Sequence, residues 1–246
     1  MILQTQGYGT LGKDWHVQES CSAGFCRVYF LKGGSITYSD MQQTRLLDIG
    51  KLYVFPSHSP YSISHTPENP LCCLWYHFDL FPVVVDKLIE FTPDRALSAL
   101  LDALIIETQE GHEHSNFYIS LVQALESYIL EQGAFSVPDP ALLEILRAIR
   151  ASYTDHSFSV DHISAAFGYS TEHFIRSFKR SMNITPYQYV TGLRMAEAVR
   201  MLMDGIPVGQ IAEAVGYSES KVFARAFTER YGIPPSRYRE YYHPGA

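Results

Sequence analysis

Two arginines recur together with their surroundings in the last third of this chain. Arg176 stands between Phe174 and Phe178, and Arg225 stands between Phe223 and Phe227, each in the frame Phe-x-Arg-x-Phe. On a helix the two phenylalanines share one face, and the arginine lies about 200° from the first of them, on the opposite face. A guanidinium held outward in this way can make a bidentate pair to the edge of guanine. Glu172, Ile175, Lys179 and Arg180 point outward with Arg176, and Lys221 and Ala224 point outward with Arg225.

The frames belong to a longer repetition that must position them. Ile163, Gly168, Tyr169 and Ser170 match Ile211, Gly216, Tyr217 and Ser218 at an offset of 48 residues; Phe174, Arg176, Phe178, Pro186 and Tyr189 match Phe223, Arg225, Phe227, Pro235 and Tyr238 at 49. One residue inserted in a short turn accounts for the change, so a small helical device is used twice. Ser159 and Ser170 are capping residues for two successive helices, with Gly168 turning the chain between them. Thr185-Pro186 is a start signal and Gly205 a stop, while Pro207, Gly216 and Ser218 repeat the arrangement and Pro235 opens a terminal helix. Helix, tight turn and capped second helix with an exposed cation is the layout of a helix-turn-helix reader of the major groove. The helix predicted from Pro186 to Asp204 is roughly 28 Å long, near the ~34 Å between successive major-groove faces. Arg194 and Arg200 on it are expected to reach phosphates. Small helical repeats also serve as protein-interaction scaffolds, which is a competing reading.

Residues 142–241 resemble the DNA-binding domain of the arabinose-regulator (AraC-type) transcription factors. The resemblance is carried by Gly168-Tyr169-Ser170, Phe174-x-Arg176-x-Phe178-Lys179, Arg194-x-x-x-Ala198 and Ile211-Ala212, then by Gly216-Tyr217-Ser218, Phe223-x-Arg225-x-Phe227 and Gly232-x-Pro234-Pro235-x-x-Tyr238-Arg239. It implies base-reading positions at Glu172, Ile175 and Arg176 in the first copy, and at Ser220, Lys221, Ala224 and Arg225 in the second. Double-stranded DNA, a second copy of the chain and RNA polymerase are the implied macromolecular partners. Two departures stand out. Asn183 replaces a glycine, a change that left-handed backbone tolerates, and Thr228-Glu229 replaces the basic pair that Lys179-Arg180 supplies in the first copy. The second head is therefore expected to grip more weakly.

The front of the chain has another texture. Up to about residue 82 it reads as short strands separated by Gly, Pro, Ser and Asn, with clear alternation at Arg27-Val28-Tyr29-Phe30-Leu31 and a hairpin turn expected at Gly33-Gly34. From Val83 to about Phe135 the period shifts toward 3.6, with stripes at Leu97, Leu100, Leu101, Leu104 and Ile105 and at Leu121, Leu125, Ile129 and Leu130. These predict two amphipathic helices, and SVPDP at 136–140 predicts a linker. The predicted class is α+β: a cupin-like β-barrel with two helices over 1–137, then an all-α domain with two helix-turn-helix motifs over 138–246. The segment from Leu47 to Phe78 resembles the sensor barrel of sugar-responsive members of the same family. That resemblance implies a small-molecule effector, with Trp15, Arg27, Tyr29, Tyr38, His58, Tyr61, Trp75 and His77 as candidate contacts for a sugar. It also implies a homodimer made through the two helices, which otherwise simply complete the sensor core.

Composition bounds the rest. The net charge is −7, but residues 1–137 hold 7 Lys+Arg against 15 Asp+Glu, and residues 138–246 hold 12 against 11. The acidity sits in the front half, away from the repeated arginines. No apolar run is long enough for a membrane span, and the N-terminus does not read as a secretion signal, so a cytoplasmic protein is expected. Cys21, Cys26, Cys72 and Cys73 form no CxxC pair and read as reduced thiols. The rival class is a metal-dependent cupin enzyme. His58, His65 and His77 form no H-x-H pair, and the pair His112/His114 lies in a polar connector between helices. No phosphate-binding glycine loop or nucleophile elbow is present, and neither a cofactor nor catalysis is expected.

Overall fold

The computed structural model describes residues 2–19, 25–133 and 135–242. Its first part is made of β1 (Ile2–Thr10), β2 (His16–Glu19), β3 (Cys26–Gly33), β4 (Ile36–Asp40), β5 (Thr44–Leu46), β6 (Leu52–Val54), β7 (Tyr61–His65), β8 (Cys72–Asp79) and β9 (Ile89–Phe91). They form two antiparallel sheets, ordered β1-β8-β3-β6-β9 and β2-β7-β4-β5. The first sheet is buried on both faces, and its side chains sort by the two-residue period of a strand. Val28, Phe30, Leu74, Tyr76 and Phe78 point to one face, against α1 (Arg95–Gln109) and α2 (Asn116–Gln132). Tyr29, Leu31, Tyr53 and Cys73 point to the other, into a core shared with Tyr38 and Ile63 of the second sheet. Gly7 is needed for close approach: a Cβ there would lie 2.2 Å from the Trp75 ring that crosses it.

The helices bury the predicted stripes, with Leu97, Leu101, Leu104 and Ile105 inward on α1 and Leu125 and Ile129 inward on α2. Three expectations are corrected. Helix does not begin near Val83: the segment 83–94 carries β9, whose apolar residues extend the first sheet by pairing with β6. Leu130 lies on the exposed side of α2, one position past the buried face. Gly33-Gly34 makes no hairpin, because β3 pairs with β6 and β8 while β4 belongs to the other sheet. Gly34, at φ +106°, turns the chain from one sheet to the other, so close to Pro70 that a Cβ would lie 2.7 Å from its carbonyl oxygen. Cys26 and Cys73 are buried free thiols and Cys72 is half-buried; Cys21 lies outside the described residues.

The second part runs through α3 (Pro140–Ser152), α4 (Val160–Ala166), α5 (Thr171–Met182), α6 (Pro186–Met203), α7 (Val208–Ala214), α8 (Ser220–Tyr231) and α9 (Pro235–Tyr242). The predicted linker is short, since Asp139 already caps α3 and Pro140 is its first residue. Two cores form, one per copy of the repeat. Phe174 and Phe178 pack with Leu146, Ile149 and Tyr189 in the first. Phe223 and Phe227 pack with Ile211, Val199 and Tyr238 in the second. Each buried phenylalanine is worth about 3–5 kcal/mol against alanine. α6 contributes to both cores and starts with a complete capping box, Thr185 with Gln188. Among the described residues no helix is long and apolar enough to cross a membrane.

Candidate nucleic-acid interface

Each head is a short helix, a glycine turn and a second helix. Gly168 and Gly216 carry the turns at φ +75° and +83°. In the first head the Ser170 side chain accepts from the His173 amide and starts α5. Asn183 ends that helix in left-handed conformation at φ 59°, as the asparagine-for-glycine exchange requires. In the second head the inserted residue moves the cap from Ser218 to Glu219, whose side chain makes no capping bond.

The faces of α5 and α8 opposite their phenylalanines are open. Glu172, Arg176, Lys179 and Arg180 are exposed on α5, as are Ser220, Lys221 and Arg225 on α8. Ile175 is corrected: it stands next to Phe174 at the margin of the apolar face and packs partly against the first core. Ala224 is likewise half-buried. Among the described residues Arg176, Lys179 and Arg180 enter no ion pair. Arg225, 82% exposed, donates through Nε to Glu229 Oε1 at 2.8 Å.

The two arginines expected on phosphates are engaged elsewhere. Arg194 donates to the carbonyls of Tyr153 at 2.7 Å and Asp155 at 3.2 Å, and its guanidinium lies over the Tyr217 ring. Burial lowers its affinity for the proton. It ties the end of α3 to the turn of the second head, because α6 turns that side chain inward between them. Arg200 is held by Glu197 and Asp204, one turn away on either side.

The eight effector candidates do not gather around one cavity. Trp15, Tyr29, Tyr38 and Tyr61 are rings of the packed core between the sheets, and Trp75 lies partly buried against it. His77 bonds to Thr5 at 2.8 Å and lies beside Tyr29. Arg27 donates to Tyr61 and to Glu19 and borders a cleft shared with Arg230 of α8. His58 is outside this group: it stacks on Tyr189 at the seam with the helical part and borders a cavity with Arg150. Burial and the Arg150 charge lower its pKa to about 4. Tyr38 reaches a third cleft with Asp40, Pro60 and Lys87.

Sequence reasoning misses the groups that join the two parts. Arg150 of α3 is paired with Asp79 of β8 and donates to the Tyr189 hydroxyl at 3.2 Å. Arg230 is paired with Glu19 at 2.7 Å across 211 residues of sequence. Nothing local marks either pair. Among the described residues three side chains of metal-ligating type converge at Glu107, Glu110 and His112, at the C-terminal end of α1, and His58, His65 and His77 belong to no such group.

Two outward-facing helices on separate small cores, joined by one long helix, define a double helix-turn-helix protein with a β-rich first part. The family profile described as "Helix-turn-helix domain" matches residues 142–241, and this segment is a helix-turn-helix domain of the AraC type. The chain is 30% identical over 115 residues to the uncharacterized HTH-type transcriptional regulator YisR of Bacillus subtilis, covering 45% of this chain and 40% of that one. It is 26% identical over 155 residues to the probable transcriptional regulator LumQ of Photobacterium leiognathi, covering 61% and 62%. It is 33% identical over 86 residues to the transcriptional activator RclR of Escherichia coli, covering 35% and 30%. The matches thus span less than two thirds of these relatives' own length. The whole fold is similar to that of ToxT of Vibrio cholerae in a crystal structure with unsaturated fatty acid bound, at TM-score 0.72 and 11% identity, covering 100% of this chain and 98% of that one.

Proposed function

We propose that the chain is a ligand-responsive transcriptional regulator that binds specific double-stranded DNA through α5 and α8 and acts by binding rather than catalysis, in the cytoplasm. The observation that carries this is the pair of outward guanidiniums, Arg176 and Arg225, each presented by a helix whose opposite face is anchored in its own core. Arg176 and Arg225, with Glu172, Ser220 and Lys221, read base edges; Lys179 and Arg180 hold phosphates. Ile175 and Ala224 offer small apolar contacts at the margin of the same faces. Residues 138–246 are the DNA-binding domain, and residues 1–137 sense the effector and dimerise.

The dimer surface lies on α1 and α2, where Ile106, Phe117 and Ile119 are exposed. The effector is a small molecule taken up by the first part, at the aromatic and polar groups around Arg27, Tyr61 and His77 or where they meet the helices. A sugar is the expectation from the sensor resemblance, and a fatty acid is the alternative that ToxT supplies. RNA polymerase is the further partner of an activator. Titration of the protein with duplexes from its own upstream DNA tests the reading. Selective binding that shifts with one member of a sugar and fatty-acid panel supports it. Equal weak binding to every duplex overturns it, and stoichiometric bound iron, manganese or zinc favours the metal-dependent enzyme.

A further inference from the structure

We infer that the two reading heads address opposite base chemistry at one equivalent position: Glu172 of the first head takes cytosine, and Lys221 of the second takes guanine. The inference rests on the DNA-binding reading above and names the bases that reading leaves open.

Glu172 and Lys221 hold the same place in the repeat, 49 residues apart, and each is the second residue of its reading helix. Each stands two residues before the first buried phenylalanine of its frame and four before the outward arginine. Each therefore shares the arginine's side of the helix, one turn nearer its start. Both side chains are exposed, and among the described residues neither enters an ion pair. Glu172 precedes Arg176 in the order that favours an ion pair along a helix. The two groups nevertheless stay apart, whereas Arg225 and Glu229 close to 2.8 Å. The neighbours of Glu172 are engaged within the head: the Thr171 hydroxyl donates to Asp161 at 2.6 Å, and His173 stacks on Tyr169.

Helix physics favours only one of these two charges. The start of a helix stabilises an anion and disfavours a cation. Glu172 follows that rule, and Lys221 breaks it, at the start of a helix that has neither a side-chain cap nor an acidic residue in its first turn. Helix stability does not account for Lys221, and the reversal of charge falls on the face turned to the bases. A carboxylate there is repelled by the phosphates and by every acceptor in the groove, so it is tolerated only where a base donates to it. Cytosine offers its N4 amino group, whereas adenine sets the acceptor N7 beside its N6 donor and guanine offers acceptors alone. Cytosine is therefore the base for Glu172. An ammonium has the opposite requirement, and the paired acceptors O6 and N7 of guanine meet it. The two stretches of DNA under one chain are thus unlike at this position, although both heads place an arginine one turn further on.

The test uses the full chain and the upstream duplex it binds, with each base pair replaced in turn by the other three. The unmodified protein is expected to lose roughly tenfold in affinity when one particular C·G pair is replaced. Glu172→Ala should bind all four pairs at that position within about twofold of one another and keep its preferences elsewhere. Glu172→Lys should turn the preference there from C·G to G·C. Lys221→Glu should make the reverse turn at a pair about one helical repeat, ~10 base pairs, away. That variant places the favoured charge at a helix start, so it carries the test where a Glu172 variant fails to fold. Folded Glu172→Lys and Lys221→Glu variants with the base preferences of the unmodified protein overturn the inference. It also falls if Glu172→Ala changes affinity equally for every duplex, which assigns Glu172 to the helix end alone, or if the preference lost is for a pair other than C·G. Failure of the DNA reading looks different: no duplex is preferred by any protein, the unmodified one included.

Discussion

Arg225 and Glu229 lie one turn apart on the open face of α8, with Nε and Oε1 2.8 Å from each other. The guanidinium expected to read bases in the second head thus has a carboxylate partner on its own helix, at the position where the first head has Arg180. A duplex must displace that carboxylate or accept its charge nearby. Glu229→Ala is expected to tighten DNA binding by roughly two- to fivefold with a steeper salt dependence. Thermal stability should stay unchanged, because exposed ion pairs contribute little. Anisotropy titrations at several salt concentrations check this, and unchanged affinity would mean that Arg225 does not approach DNA.

Arg176 has no such partner among the described residues, so the first head is expected to carry more of the discrimination. Arg176→Ala should lose about 1–3 kcal/mol of preference for the bound sequence over a scrambled duplex. The buried Phe174 and Phe178 keep α5 in place in that variant, so the melting temperature should hold. Retention of full discrimination would remove Arg176 from the reading face.

Arg194→Ala should behave in the opposite way. Its guanidinium satisfies the carbonyls of Tyr153 and Asp155 and lies against the turn of Gly216, where an added Cβ would stand 2.9 Å from Nη2. Loss of charged hydrogen bonds to two carbonyls should cost about 1–3 kcal/mol of stability. The salt slope of DNA binding should stay as it is, because the side chain is not on the open face. Denaturant unfolding alongside the DNA titration separates the two; a flatter slope at unchanged stability would restore Arg194 to the phosphates.

How far the sequence foretells this structure depends on how local the determining contacts are. The ends of α5 and α6 are legible because Ser170, Asn183, Thr185, Pro186 and Gly205 act on their own backbone. Strand pairing is less so: Gly33-Gly34 has the composition of a hairpin, and only the pairing of β3 with the distant β8 makes it a passage between sheets. The direction of Arg194 is set by carbonyls 41 and 39 residues away, and that of Arg230 by Glu19 211 residues away. The barrel aromatics were identifiable as a group, but the filled core that takes up Trp15, Tyr29, Tyr38 and Tyr61 depends on how two sheets close on each other.

The inserted residue in the second turn has an energetic consequence of its own. Ser170 caps α5, whereas Glu219 occupies the cap of α8 without bonding to its amides. Glu219→Ser should supply the missing acceptor and stabilise the protein by about 0.5–1 kcal/mol, and Ser170→Ala should cost about 1 kcal/mol. Denaturant unfolding of both variants checks the sign; a destabilised Glu219→Ser would show that the turn cannot bring a short side chain to the amides.

His58 gives the fold a pH dependence whose sign follows from its surroundings. Its ring lies between the Ser57 hydroxyl, 2.7 Å from Nδ1, and the Tyr189 ring, with the Arg150–Asp79 pair at the same seam. Burial, and then the positive charge of Arg150, hold its pKa at about 4, against about 6.5 in an unfolded chain. Above pH ~6.5 the imidazole is neutral in both states and the fold keeps its full stability. As the pH falls from there toward 4, the unfolded chain takes up a proton that the folded one refuses, and stability declines by up to about 3 kcal/mol. Carboxylates whose pKa is lowered, such as Glu90 by Lys51 and Asp40 by its turn amides, lose their contribution only as the pH falls below the ordinary carboxylate range, under most of this window. His58→Asn should therefore flatten the loss between pH 6.5 and 4.5 while leaving the steeper fall below it. Urea unfolding at half-unit pH steps makes the comparison, and an unaltered slope in His58→Asn would assign the decline to other groups.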